Sequence, residues 1–175
     1  MIRLLMQIMK LLMKKKKNKL IYLYCYLVAL FIACSNDSAE SSWIKAKNYY
    51  NNKQYNESAA ELSSIINSDK HIDIIPDALF LLSEIYLNEY QEYYIAINYL
   101  DQIIDRFPED ELAKRSLFTK AYIYANYLDQ FTDASILYES FLSKYPEDEL
   151  VGSVKYELEE LYKYSDIVKS IIDNK

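Results

Sequence analysis

The chain has 175 residues, enough for one domain with a proper core, and contains one Gly (Gly152), one His (His71), three Pro, two Cys and nineteen Tyr. A single Gly excludes glycine-built phosphate loops and the nucleophile elbow, a single His excludes His-cluster zinc sites, and a turn-rich sandwich or barrel lacks its punctuation. The formal charge of −6 hides an asymmetry: residues 1–33 hold seven of the 20 basic and none of the 26 acidic residues, leaving 13 against 26, a net −13, on residues 34–175.

The N-terminal segment reads first. The run Lys14-Lys15-Lys16-Lys17-Asn18-Lys19 precedes fourteen uncharged, mostly apolar residues, Leu20 to Ala33, and then Cys34. A basic stretch ahead of a short apolar one is the layout of a secretory signal over residues 1–33. It is short of the roughly 17–25 apolar residues of a spanning helix. Starting at Met13 gives a more ordinary basic region, so the true start is expected there. Phe31-Ile32-Ala33-Cys34 resembles the bacterial lipoprotein lipobox, with Phe31 in place of the preferred Leu. That resemblance implies diacylglycerol attachment to Cys34 and cleavage before it, with no other cofactor. Ser35 does not look like the Asp that retains enterobacterial lipoproteins in the inner membrane. The competing reading is an uncleaved single-pass anchor. Both leave the acidic body exported. Cys25 would leave with the signal, so the mature chain has no disulfide. Residues 34–40 form a polar tether, with about seven residues between Cys34 and the first helix and a reach of roughly 25 Å.

The body, residues 41–175, repeats itself. Pro108-Glu-Asp-Glu-Leu112 recurs as Pro146-Glu-Asp-Glu-Leu150, a shift of 38, and the same shift carries Ser83 to Ala121, Tyr86 to Tyr124, Tyr93 to Phe131 and Ala96 to Ala134. Three repeats follow, at about 41–70, 76–108 and 111–146, with a cap over 147–173. Each repeat predicts two helices. Ala78, Leu79, Leu82, Ile85 and Tyr86 keep a 3.6-residue rhythm, which Ala96, Leu100, Ile103 and Ile104 resume after a polar stretch. Pro76 suits a helix start, and Arg106-Phe107-Pro108 suits a stop. In the third repeat the helices run from Ala113 to Asn126 and from Thr132 to Lys144. Glu149 to Tyr164 reads as a capping helix, with Ser165 to Asp173 a shorter one against it or a frayed end.

These residues resemble the tetratricopeptide repeat. Ser83, Tyr86, Tyr93, Ala96, Leu100, Ile103 and Pro108 fit its pattern in repeat two, and Ala121, Tyr124, Phe131, Ala134, Tyr138, Phe141 and Pro146 fit in repeat three. Repeat one is looser, with Ala46, Tyr49, Tyr55, Ser58, Leu62 and Ile65, and with Lys70 where Pro is expected. The resemblance implies an all-α, right-handed α-solenoid of about three helix pairs plus a C-terminal capping helix. It also implies a protein-interaction role rather than an enzyme.

In such solenoids the first helix of each pair lines the concave face. Projecting the family's groove positions gives an aromatic row, Trp43, Phe80, Phe118 and Tyr156, and an amide row, Asn51, Asn88 and Asn126. Rings supply apolar contact and amides hydrogen-bond a peptide main chain. The alternatives are that the rings are inter-repeat core and the Asn residues are left-handed helix caps. Truncating Phe80 or Phe118 to Ala is expected to weaken partner capture and spare stability in the first case, and to cost stability in the second. The basic residues with which some members clamp a terminal carboxylate are absent from the matching positions. His71 reads as a loop residue. The acidic clusters at Glu109-Asp110-Glu111, Glu147-Asp148-Glu149 and Glu157-Glu159-Glu160 read as solvated faces, two of them at helix starts. No metal site is expected.

The functional expectation is a cell-envelope lipoprotein, on the periplasmic side of the outer membrane with the inner membrane as alternative. It binds protein or peptide partners and no nucleic acid, which its acidic body would repel. By architecture it is similar to the BamD-type lipoproteins of outer-membrane protein assembly. The alternatives are a periplasmic coordinator of envelope constriction and, from another class, a lipid-anchored hydrolase using paired carboxylates.

Overall fold

A computed structural model of the chain describes residues 39–68 and 72–173. The leader, Cys25, Cys34, Lys70 and His71 lie outside the described residues. Among those described there are seven α-helices and no strand. They are α1 (Ala39–Asn51), α2 (Tyr55–Ile66), α3 (Ile75–Asn88), α4 (Tyr93–Arg106), α5 (Glu111–Asn126), α6 (Phe131–Lys144) and α7 (Val151–Asp173), with a 3-10 turn at Ile72–Ile74 leading into α3. Each helix packs on the one before it and the one after it, and the first helices of neighbouring pairs also touch, α3 with α5 and α5 with α7. The result is the expected solenoid of three helix pairs and a cap.

Small residues set the helix spacing. Ala46, Ser83 and Ala121 on the first helices, and Ser58, Ala96 and Ala134 on the second, are all essentially inaccessible to solvent. With no bulk at these points the two backbones of a pair come close enough for the Ser58 hydroxyl to donate to the Ala46 carbonyl across the pair at 2.9 Å. Large side chains then fill the spaces between pairs. Leu62, Ile65, Leu82 and Ile85 close the first layer. Leu79, Leu100, Ile103 and Ile123 close the second, and Tyr138, Phe141 and Val154 the third. Helix α3 serves two layers and is buried nearly all round, from Ile75 to Ile85.

The doubled Pro-Glu-Asp-Glu-Leu is a helix-start device. Asp110 accepts from the Leu112 N–H at 2.8 Å, and Asp148 from the Leu150 N–H at 2.9 Å. The carbonyls of Phe107 and Tyr145 accept from the Asp110 and Asp148 N–H groups, closing the same turn twice. Lys114 bridges from α5 to Asp148 at 3.0 Å and holds the two loops in register.

The turns inside the pairs also repeat. Lys53, Gln91 and Asp129, 38 residues apart, have φ of 60°, 56° and 53°. The following N–H in each, from Gln54, Glu92 and Gln130, donates back to the carbonyl of Tyr49, Tyr86 or Tyr124. Asn51, Asn88 and Asn126 are therefore the last residues of their helices and not left-handed caps; the left-handed residue comes two or three positions later.

Helix α1 is already formed at Ala39, the first described residue, and one boundary differs from expectation. The cap is one continuous helix to Asp173, because no Pro or Gly after Gly152 interrupts it. Its outer face differs from that of α5. Leu117, Ala121 and Ala125 of α5 are buried under α6, whereas the residues 38 positions on, Lys155, Glu159 and Lys163, are charged and exposed. No helix among the described residues is long and apolar enough to cross a membrane.

Candidate functional site

The first helices of the three pairs enclose a cleft of about 340 Å³. Its floor is α3, which contributes Phe80, Leu81 and Glu84. One wall is α1, with Trp43, Lys47, Tyr50 and Asn51, and the other is the N-terminal part of α5, with Leu112 and Arg115. These side chains converge because α1, α3 and α5 run side by side and each offers a face at i, i+3, i+4 spacing. On α1 that face is Trp43, Lys47 and Tyr50, and on α3 it is Asp77, Phe80, Leu81 and Glu84.

Cations sit on the rim and rest on rings. The Lys47 ammonium lies 5.0 Å from the centre of the Trp43 ring, and the Arg115 guanidinium 4.9 Å from that of Phe80. Both side chains belong to exposed residues, and among the described residues neither has a carboxylate oxygen within 4 Å. Glu84 lies deeper. Burial raises its pKa, an effect the positive charge of Arg115 only partly opposes. Asp77, at the start of α3, is also raised, first by burial and then by Asp110. Tyr50 is pushed up by burial and by the charges of Glu84 and Glu89.

The sequence-predicted rows divide here. Trp43, Phe80 and Asn51 are brought together in the cleft. Phe80 is both wall and core: it is 9% exposed and packs within the second layer beneath Arg115. Phe118 lies further along the solenoid, half-buried against Tyr138 and Tyr122, with ring centres 6.0 and 6.4 Å away. Tyr138 stands where Leu62 and Leu100 stand in the earlier pairs and is fully buried. Tyr156 on α7 is 63% exposed. Asn88 and Asn126 are exposed at helix ends, and the Asn126 amide donates to the Tyr122 carbonyl of its own helix. In place of a continuous groove there is a cleft between α1, α3 and the N-terminal part of α5, with separate aromatic positions beyond it.

Lys47, Glu84 and Arg115 were not legible as site residues. Lys47 and Glu84 lie one helical turn beyond Trp43 and Phe80, a spacing that signals the same face. Arg115 comes from the next repeat, so only the stacking of repeats places it over Phe80.

Among the described residues no three His, Cys, Asp or Glu side chains converge in a way that would hold a metal ion. The acidic clusters of the loops serve as helix starts, with Asp110 and Asp148 as the capping residues. No curated protein matches the chain. The family model of the tetratricopeptide repeat matches residues 77–110 and 115–148, two segments again 38 residues apart. The two matched segments fall on the pairs α3–α4 and α5–α6, which are thus similar to tetratricopeptide repeats, a helical fold typical of protein–protein interaction scaffolds.

Proposed function

We propose that the protein is a bacterial envelope lipoprotein, tethered through acylated Cys34, whose repeat domain captures a segment of a partner protein in the α1–α3–α5 cleft. The observation that carries the capture reading is the cleft itself: half-buried rings flanked by charged groups that have no ion-pair partner within the described residues. Such a surface offers apolar anchorage at the centre and polar selectivity at the edge, the pattern of an interaction hot spot. The tether reading is supported by the order of basic run, short apolar run and Phe31-Ile32-Ala33-Cys34. Between Cys34 and Ala39 the chain spans at most roughly 18 Å, so an acylated Cys34 holds the domain next to the bilayer. The finer role within this reading is assistance to outer-membrane protein assembly, in the manner of the BamD-type lipoproteins.

Two measurements test it. Mass spectrometry of the mature protein should find an N-terminal acylated Cys34; an intact terminus that still contains Leu20 to Ala33 contradicts the anchor. A photo-crosslinking amino acid at Lys47, on the cleft rim, should trap partner protein in cells, whereas one at Ile136, exposed on α6, should not. Equal trapping at both positions contradicts the cleft as the site.

A further inference from the structure

We infer that the cleft selects a peptide segment with one basic side chain flanked by apolar residues, the basic group reaching Glu84 on the floor. This rests on the reading of the cleft as a peptide-binding surface and names the chemistry it selects.

Three observations carry it. Glu84 is a half-buried carboxylate on α3 that lines the cleft one helical turn after Phe80 and Leu81, and no described residue gives it a hydrogen bond or an ion pair within 4 Å. A carboxylate removed from water is satisfied best by a charged donor. The resident cations do not fill that place: Lys47 and Arg115 occupy the faces of Trp43 and Phe80 at the rim. The long-range field favours the same occupant, because residues 34–175 carry a net −13 and draw basic segments toward the domain. The rim also restricts what enters. Lys47 and Arg115 repel a second positive charge beside the first, so a polybasic tract fits poorly. The partly exposed Trp43, Tyr50 and Leu112 offer apolar surface to the stem of a Lys or Arg and to its apolar neighbours.

Fluorescein-labelled Ala/Leu peptides that differ only at one central position, lysine, its uncharged isostere norleucine, or glutamate, test this against the detergent-solubilised full chain by anisotropy. The lysine peptide should bind about ten-fold or more tighter than the norleucine peptide, since a charge-assisted hydrogen bond forms only in the first. The glutamate peptide should bind weakest. Glu84→Gln should erase the preference for lysine over norleucine. Preference for glutamate, indifference to charge, or a lysine preference that survives Glu84→Gln overturns the assignment of Glu84 while leaving the cleft as a peptide site. If none of the three peptides binds, the assignment falls. The Lys47 crosslink in cells then decides separately whether the cleft captures protein at all.

Discussion

Phe80 shows how one side chain can belong to two structures. Its ring closes the second core layer and also forms part of the cleft floor under Arg115. Phe80→Ala should therefore cost about 2–4 kcal/mol of stability, read from a urea midpoint, and the expectation that binding could be lost without loss of stability is withdrawn for this position. Glu84 behaves in the opposite sense. Its raised pKa means that the folded state holds its proton more tightly than the unfolded chain, so its ionisation works against folding progressively as pH rises above the ordinary carboxylate range. Glu84→Gln should leave the protein at least as stable at pH 7, with a melting temperature no lower than that of the parent, which keeps this variant usable for binding. The left-handed residues form a third class. Gln91, at φ 56°, carries a Cβ in a conformation that costs a non-glycine residue about 1 kcal/mol. Gln91→Gly should raise the midpoint slightly, while Gln91→Val should lower it by more, because branching at Cβ worsens the clash.

At the level of elements, the repeated loop between pairs does the most organising. Asp148 caps the start of α7 and is held below the ordinary carboxylate range, chiefly by the Leu150 N–H and then by Lys114. A lowered folded pKa contributes stability that is complete above the ordinary value near 3.9 and lost as pH falls through the folded one. Asp148→Ala should cost about 1 kcal/mol at pH 7. Asp148→Asn, which can still cap, should flatten the acid limb of the stability curve below about pH 4. This loop was also the most legible part of the sequence. A cap, a proline and a half-buried leucine sit within five residues, so their physical roles leave a contiguous trace, and the end of α4, the start of α5 and the end of α6 follow from it. The first pair lacks that trace, since Lys70 stands where a proline would, and it lies outside the matched segments although α1 and α2 fold as the others do. Spacing alone groups Trp43, Phe80, Phe118 and Tyr156, of which the structure brings Trp43 and Phe80 to one cleft. It does not separate Phe118 and Tyr156 from them, because whether a ring lines a cleft, packs in the core or is exposed depends on the neighbouring repeat: Arg115 covers Phe80, Tyr138 backs Phe118, and among the described residues neither kind of neighbour stands at Tyr156.

For the whole molecule, the contacts among the described residues run chiefly between neighbouring layers. Replacing Lys155, Glu159 and Lys163 with Leu, Ala and Ala, the residues of α5 at the equivalent places, would give α7 an apolar outer face. Light scattering should then show concentration-dependent self-association that the parent lacks. The turn of period 38 has a further consequence. Because each pair brings its own left-handed bend and its own two small contact residues, the protein resembles a short polymer built from one repeating layer. Duplicating residues 109–146 in place should lengthen the molecule by one layer without disturbing either end, so chain length in this protein is a quantity that in-frame duplication can change a whole layer at a time.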